Sequence, residues 1–270
     1  AAACAVVVGW AFTASAATHY VATTGNDETG DGSSAKPWRS ITHAIQAPAT
    51  AEGDEILVGG GLYEESVTNN VSNGGKHRLT FKGGYNADWT RDLRNCPTTV
   101  KPPVNTVPCW YIENAVSNRV SGFVFTGGSY GIVPRGRTTN SSAGKQNVFY
   151  TFVSQLVVTN NVSGGILIAG IPPGNYQCAD DCVISSSYVA DNGGYGIYVR
   201  VDQLCHYWIV NCTVVNNASG GYYSSYATHR LLALNSIFSN NKNGTRDFYA
   251  ENNSSFSLVA LCCTWRYRGA

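Results

Sequence analysis

Four stretches in the second half of the chain share one plan: VVTNNVSGGILI at residues 157–168, YVADNGGYGIYV at 188–199, VVNNASGGYYS at 214–224 and IFSNNKNGT at 237–245. Each runs from an apolar pair through a polar spacer to an asparagine, after which glycine follows. The asparagines are Asn161, Asn192, Asn217 and Asn241, spaced by 31, 25 and 24 residues. FVFTGG at residues 123–128 has the pattern of an earlier copy.

This period matches one coil of three short strands and three turns. A single coil cannot bury its inward residues alone, so coils stack and equivalent positions form rows along the axis. Asparagine suits the turn because it tolerates the left-handed conformation and its amide can hydrogen-bond to the next coil. The repeat therefore predicts an all-β parallel β-helix. The alternative is a β-sandwich in which Asn-Gly turns recur by coincidence.

The first third of the chain is divided by turns into short elements. Residues 20–22 (YVA) form a predicted strand, and the polar turn TGNDETGDGSS follows at 24–34. Ile41, Ala44 and Ile45 have the i, i+3, i+4 spacing of a short amphipathic helix. A strand at 56–58 (ILV) and a glycine corner at 59–61 come next.

These blocks resemble secreted right-handed parallel β-helix proteins of the pectin-lyase-like superfamily. The resemblance rests on YVATTGNDETGDGSSAKPWRSITHAI at 20–45, GDEILVGGGLYEE at 53–65 and FKGGYNADWTRD at 81–92. It implies a right-handed solenoid with a short N-terminal capping helix. It implies little about activity, because the superfamily contains lyases, hydrolases, esterases, adhesins and passive surface proteins.

The charge of the chain excludes one class of function. Only 13% of the residues are charged, against about 25% in an average soluble domain, and the formal net charge is +1. The sequence contains no Lys/Arg cluster that would neutralise phosphates, which excludes an electrostatic nucleic-acid binder. Nine cysteines without paired CxxC knuckles favour an oxidising compartment. We therefore predict an extracellular or cell-surface protein.

Residues 1–17 (AAACAVVVGWAFTASAA) form an apolar arm. They have the pattern of a secretory signal that ends at Ala14-Ser15-Ala16, and its cleavage would leave eight cysteines. The run is too short for a membrane span, which needs about 20 apolar residues. We favour a retained strand that needs something to cover it. The chain is then divided into this arm and a single β-helix domain at residues 18–270.

Catalytic candidates are few. Asp180 and Asp181 form an adjacent pair like that of polygalacturonase-type hydrolases, but the other motifs of that family are absent. Because sequence neighbours on a strand point to opposite faces, a solvated turn is the simpler interpretation. Arg135 and Arg137 form a close basic pair without the neighbouring carboxylates that hold calcium in pectate lyases. GLYEESV at 61–67 is similar to pectinesterases, whose downstream motifs are missing. We therefore predict no complete catalytic set.

The sequence favours no metal or cofactor. Asn26, Asp27, Glu28 and Asp31 offer oxygen ligands for calcium, but their loop lacks the spacing of an EF-hand, and a polar turn is the simpler interpretation. The five histidines show no i, i+4 pair and no His-Glu-x-x-His motif, which argues against zinc and triad sites. Calcium at residues 26–31 is the alternative.

The cysteines are predicted to link the coils by disulfides. The local candidate pairs are Cys96 with Cys109, Cys178 with Cys182 and Cys205 with Cys212, while the adjacent Cys262 and Cys263 would bond elsewhere. Closing the proline-rich segment 96–109 would stabilise the fold by about 3 kcal/mol. Cys4 lies in the arm, where it stays free or bonds outside the local fold.

The sequence also contains several acceptor sequons for N-glycosylation. The sequons Asn-x-Ser/Thr begin at Asn70, Asn140, Asn161, Asn211, Asn217, Asn243, Asn252 and Asn253. In a secreted protein, glycans would occupy outward turns and would keep a surface with few charges soluble.

Two classes of function compete. The first is a structural subunit whose arm covers an edge or open end of the next copy, and the residues assigned to this contact are Cys4, Val6, Val7, Val8, Trp10 and Phe12. Head-to-tail contacts of this kind do not close, so they build a filament. The second is a carbohydrate-active enzyme or polysaccharide-binding module, in which some of the 16 tyrosines and six tryptophans stack on sugar. We favour the filament, with other copies and covalent glycans as partners.

Overall fold

The computed structural model describes residues 16–135, 150–169, 182–200, 206–224, 230–241, 247–250, 257–260, 262–264 and 267–268. After a first strand, these residues wind through eight successive coils, each of which contributes one strand to each of three sheets. All paired strands among them are parallel, and strand order along each sheet follows the order of the coils. The predicted right-handed parallel β-helix is confirmed, and the β-sandwich alternative is wrong.

The strands are numbered in chain order and grouped by sheet. Sheet 1 contains β1 (Thr18–Val21), β2 (Glu55–Gly59), β5 (Thr80–Tyr85), β8 (Arg119–Ser121), β11 (Thr151–Ser154), β14 (Cys182–Ser185), β17 (His206–Val210), β20 (Arg230–Leu234) and β23 (Ser257–Ala260). Sheet 2 contains β3 (Gly61–Tyr63), β6 (Thr98–Val100), β9 (Phe123–Thr126), β12 (Val157–Thr159), β15 (Tyr188–Ala190), β18 (Thr213–Val215), β21 (Ile237–Ser239) and β24 (Cys263–Thr264). Sheet 3 contains β4 (Val67–Asn70), β7 (Trp110–Glu113), β10 (Tyr130–Arg135), β13 (Gly164–Ala169), β16 (Tyr195–Arg200), β19 (Gly220–Ser224), β22 (Phe248–Ala250) and β25 (Tyr267–Arg268).

The interior is filled by rows of inward side chains. Alternate residues of each strand point inward, and strand register places like residues above one another. In sheet 3 the inward row runs through Ile132, Ile166, Ile197, Tyr222 and Phe248, all of them at most 1% exposed. Coil stacking therefore buries residues that a single coil would leave in water, as the repeat predicted.

The helix α1 (Ile41–Gln46) begins after Ser40, and Ile41, Ala44 and Ile45 are its buried residues, as predicted. Glu65 caps its first turn, because the carboxylate accepts hydrogen bonds from the N–H groups of Ile41 at 2.8 Å and Thr42 at 3.0 Å. This explains why the GLYEESV block accompanies the fold: its second glutamate anchors the helix. A 3₁₀ turn (Val71–Asn73) follows β4.

An asparagine ladder runs through the turn between sheets 2 and 3. Asn161, Asn192, Asn217 and Asn241 are at most 5% exposed, and each of the first three donates its Nδ2 to the Oδ1 of the next at 2.9–3.0 Å. Asn241 donates in the same way to Oδ1 of Asp247 at 3.0 Å. The predicted role of the amide in joining coils is therefore confirmed.

The left-handed conformation belongs to a different residue than expected. It is adopted by the exposed residue just before each ladder asparagine, and these residues are Asn160, Asp191, Asn216 and Asn240, with φ between 55° and 57°. The ladder needs two neighbouring residues in the turn, because one bends the chain and the other points its amide inward.

The ladder contradicts two predicted glycosylation sites. Asn161 and Asn217 are 1% and 0% exposed, and each Nδ2, the atom that would carry a glycan, is bound by three oxygens in the interior. Asn70 is 9% exposed, and its Nδ2 donates to Glu113 at 2.8 Å. Asn211 is exposed. Asn140, Asn243, Asn252 and Asn253 lie outside the described residues.

The predicted disulfides are also corrected. Cys96, Cys109, Cys182, Cys212 and Cys262 are free thiols, so Cys96 and Cys109 do not pair. Instead, Cys109 Sγ lies 3.4 Å from Oδ1 of Asn161, inside the coil. Cys178 and Cys205 lie outside the described residues, and so does the side chain of Cys263.

Cys212 occupies a position that serine occupies in the neighbouring coils. Ser187 and Ser236 each donate Oγ to the carbonyl two residues earlier, at 2.7 and 2.9 Å, and Cys212 Sγ makes the same contact at 3.4 Å. The Cys212 thiol therefore takes the place of the serine hydroxyl in this row.

Among the residues that the structure describes, no helix has the length and apolar character needed to cross a membrane.

Candidate functional site

An open groove of about 550 Å³ runs along the outside of the solenoid, where sheet 1 turns into sheet 2. We call it the outer groove. Its lining residues are Leu93, Pro97, Gly122, Phe123, Val124, Gln155, Leu156, Val157, Ser186, Ser187, Tyr188, Asn211 and Thr213. They come from coils three to six and from the loop between β5 and β6, so the groove is parallel to the solenoid axis.

Sheet 2 presents a row of outward side chains, which we call the strand column, and Val124, Val157, Tyr188 and Thr213 of this row line the outer groove. Strand register places Val124, Val157, Tyr188, Thr213 and Ile237 side by side on successive strands. Val157, Tyr188 and Ile237 are 38%, 41% and 44% exposed. Parallel strands lie about 4.8 Å apart, so the column presents an apolar or methyl-bearing side chain at that interval. A row that contains several exposed apolar side chains is typical of a binding surface.

A second row, the turn column, follows the rim. It consists of the residues that immediately follow β11, β14, β17 and β20, which are Gln155, Ser186, Asn211 and Asn235, and the first three of them line the groove. All four adopt the left-handed conformation, with φ between 46° and 55°, which turns the chain sharply, and all four side chains are exposed. Asn235 donates its Nδ2 to Oδ1 of Asn211 at 2.7 Å, so neighbouring coils are joined on the outside as well.

The loop between β5 and β6 closes one end of the outer groove with Leu93 and Pro97. Gly122 makes this approach possible. Its φ is +78°, and a Cβ atom there would lie 2.6 Å from Cδ2 of Leu93 and 2.5 Å from Nη2 of Arg91. Glycine is therefore needed both for the backbone conformation and for the space.

The outer groove is lined by uncharged side chains among the described residues. The described residues that line it carry amides, hydroxyls and apolar groups, and none of them carries a charge. General acid–base hydrolysis needs titratable groups with tuned pKa values near the scissile bond. The described lining residues offer hydrogen bonds and apolar contacts, but none of them is a carboxylate, histidine, lysine or arginine.

Of the sequence-predicted catalytic candidates, the structure describes only Arg135, which does not line the groove. Asp180, Asp181 and Arg137 lie outside the described residues. Arg135 is the last residue of β10 in sheet 3. Its Nη1 donates to the hydroxyl of Tyr111 at 2.7 Å, and its Nε is buried without a hydrogen-bond partner among the described residues.

The loop proposed for calcium is closed by its own side chains. Oδ1 of Asn26 accepts from the N–H groups of Glu28 and Thr29, and Oδ1 of Asp31 accepts from that of Ser33. Asp27 accepts from the N–H of Arg39 at 2.8 Å, so it fixes the segment that enters α1. These oxygens therefore shape a turn, and the calcium site stays an expectation. Among the described residues, no group of three or more His, Cys, Asp or Glu side chains is arranged to hold a metal.

Self-assembly through the arm stays a prediction, because the residues assigned to it lie outside the described residues. They are Cys4, Val6, Val7, Val8, Trp10 and Phe12.

The outer groove was not predicted from the sequence. A signal was present in two of the repeats, where a polar residue lies two positions before the apolar pair, as in SQLVV at 154–158 and SSSYV at 185–189. These positions can be recognised as parts of one surface only when strand register places them in one row.

No family model and no curated protein matches the chain. Among solved structures, the chain is similar to one described as the complex of XylC with xylose, at 11% identity and a TM-score of 0.46, over 88% of this chain and 67% of that chain. It is also similar to a pectin methylesterase in complex with a hexasaccharide, at 11% identity and a TM-score of 0.41, over 88% of this chain and 81% of the other.

The fold assignment rests on the coils themselves: three strands a turn, three parallel sheets and a buried asparagine ladder. By this architecture the chain has the right-handed parallel β-helix fold that its sequence resemblance implied.

Proposed function

We propose that this chain is a polysaccharide-binding protein that holds a linear glycan in the outer groove. The observation that carries the proposal is the pair of parallel rows along the groove, the apolar strand column and the polar turn column, each repeated once per coil. A surface that repeats along a line suits a ligand that repeats along a line. A globular partner would not use the same contact on each successive strand.

The side chains match the two faces of a sugar ring. A pyranose has an apolar face of C–H groups and a rim of hydroxyls that both donate and accept hydrogen bonds. The ring of Tyr188 and the methyl groups of Val157 provide apolar contact, and the amides of Gln155 and Asn211 donate and accept. Concave sites with apolar walls and a few polar groups are the usual form of ligand pockets.

Binding is proposed in preference to catalysis, because the described lining residues include no carboxylate, histidine, lysine or arginine. The filament hypothesis depends on residues outside the described part of the chain. It remains a prediction, and the outer groove does not require it.

The experiment that tests the proposal is affinity electrophoresis of the protein through gels that contain soluble polysaccharides, followed by calorimetry with any that retard it. Replacing Tyr188 by alanine should weaken binding about tenfold, the effect of losing roughly 1.4 kcal/mol from a central aromatic contact. Tyr150→Ala is the matched control, because Tyr150 is 44% exposed but does not line the groove. Equal affinity of the two variants would refute the groove as the binding site.

A further inference from the structure

We infer that the glycan held in the outer groove is uncharged, and this inference rests on the proposed function. It concerns which class of polysaccharide the groove selects. Carboxylates and sulfates accept hydrogen bonds without donating them, and they bind best to cationic donors. The lining of the outer groove offers amides and hydroxyls instead, which pair with sugar hydroxyls in both directions.

The coils that form most of the groove contain few charges. Their described residues, 150–169, 182–200 and 206–224, contain only Asp191 and Arg200 besides a histidine. Arg200 ends β16 in sheet 3, away from the groove. Asp191 is exposed at the turn that follows sheet 2 and would repel an acidic polymer. An anionic chain carries one charge on each sugar unit, and no corresponding row of cations exists among these residues.

Cations are present at the end of the groove where Leu93 closes it, because Arg94 directly follows Leu93 and Arg91 lies two residues before it. Arg91 donates Nε to the carbonyl of Gly83 at 2.9 Å and Nη2 to Ser121 Oγ at 3.1 Å, so it is held in the loop structure. Lys101 follows β6 and lies beside Gly127, outside the set of lining residues. These two side chains could meet one end of a ligand, but they do not follow it along coils four to six.

The cost of desolvation also disfavours an acidic glycan in the groove. A carboxylate placed against Val157 and Tyr188 would lose water without gaining a paired cation, which is unfavourable. A neutral hydroxyl loses less and recovers its hydrogen bonds from the turn column. The groove therefore favours neutral over acidic glycans, because its described lining residues include no cation that would pair with a carboxylate.

The test compares neutral glucan, galactan and xylan with polygalacturonate and dextran sulfate, at ionic strengths of about 0.01 M and about 1 M, where the Debye length falls from about 30 Å to about 3 Å. We expect retention by at least one neutral polymer, with an affinity that changes less than about twofold between the two ionic strengths. Salt-sensitive retention by the acidic polymers alone would overturn the inference. The proposed function would survive that result if Tyr188→Ala still weakened retention about tenfold.

A gain-of-function variant makes the test independent of any one natural ligand. Thr213 faces outward on β18 within the groove, so Thr213→Lys should add a cation without disturbing the core. We expect this variant to gain salt-dependent retention by polygalacturonate, while the parent protein shows none. If the parent protein already binds that polymer as strongly as the variant, the inference is wrong. If no polymer retards the parent protein, the proposed function fails as well.

Discussion

Replacing Asn192 by alanine is the sharpest test of how this solenoid is held together. Asn192 is 2% exposed and lies in the middle of the asparagine ladder. Its Nδ2 donates to the carbonyls of Val158 and Ala190 at 3.0 Å and to Oδ1 of Asn217 at 2.9 Å. Its Oδ1 accepts from the backbone N–H of Asn161 at 3.1 Å and from Nδ2 of Asn161 at 3.0 Å.

The magnitude follows from which groups lose a partner. The backbone N–H of Asn161 loses an acceptor inside the coil, and an unsatisfied buried donor costs about 1–3 kcal/mol. Nδ2 of Asn161 keeps two carbonyl partners, and Oδ1 of Asn217 keeps the backbone N–H of residue 192, so these groups are only weakened. With the lost bonds to the two strand carbonyls, we expect a total loss of about 3–5 kcal/mol.

The assay is urea unfolding, followed by both far-UV circular dichroism and aromatic fluorescence, because stacked repeats need not unfold in two states. Asn216→Gly is the matched control. It removes an exposed amide that accepts from Asn240 at 2.6 Å, and glycine adopts the same φ of 57° freely, so the expected loss is below about 1 kcal/mol. If Asn192→Ala is no less stable than this control, the ladder does not stabilise the fold as argued.

Three further outcomes are expected. Glu65→Ala should lower the free energy of unfolding by about 1–2 kcal/mol, because the first turn of α1 loses its acceptor, and Glu65→Gln should recover part of the loss in the same urea titration. Burial raises the pKa of Cys109 to about 12 and that of Cys212 to about 11, so these thiols stay protonated in the folded state while the unfolded thiols ionise from about pH 8.5. The free energy of unfolding should therefore be unaffected by the thiols at neutral pH and fall as the pH rises from about 9 towards 11, and replacing both cysteines by serine should flatten this slope. Gly122→Ala should cost about 1–2 kcal/mol through its positive φ alone and should also displace Leu93 from the outer groove, which differential scanning calorimetry and glycan binding would show together.

The coil architecture could be predicted from the sequence because its determinants are periodic. Asn161, Asn192, Asn217 and Asn241 recur at one coil length, and the same spacing that made them visible places them in one ladder. The helix at Ile41–Gln46 was predictable for a similar reason, since its apolar positions have helical spacing.

The roles of single residues were harder to predict from the sequence, because a local motif does not show whether its side chains are buried. Asn161 and Asn217 satisfy the glycosylation sequon, but their position in the turn points them into the core. Cys109 and Cys212 were interpreted as disulfide partners because the count of cysteines is high, whereas each lies in an interior row. The outer groove was missed because Tyr188 and Gln155 become neighbours only through strand register, which no single stretch of sequence shows.

Because of the asparagine ladder, a whole coil can be duplicated or deleted as one unit. Each coil presents an amide N–H on one side and an amide oxygen on the other, so a coil can be duplicated or lost and the chemistry at the junction stays the same. Deleting residues 192–216, for example, would bring Asn161 and Asn217 together as donor and acceptor. Such a deletion would also shorten the strand and turn columns by one strand spacing, about 4.8 Å. The length of ligand that this surface can hold is thus open to change in whole steps, without any new side-chain chemistry.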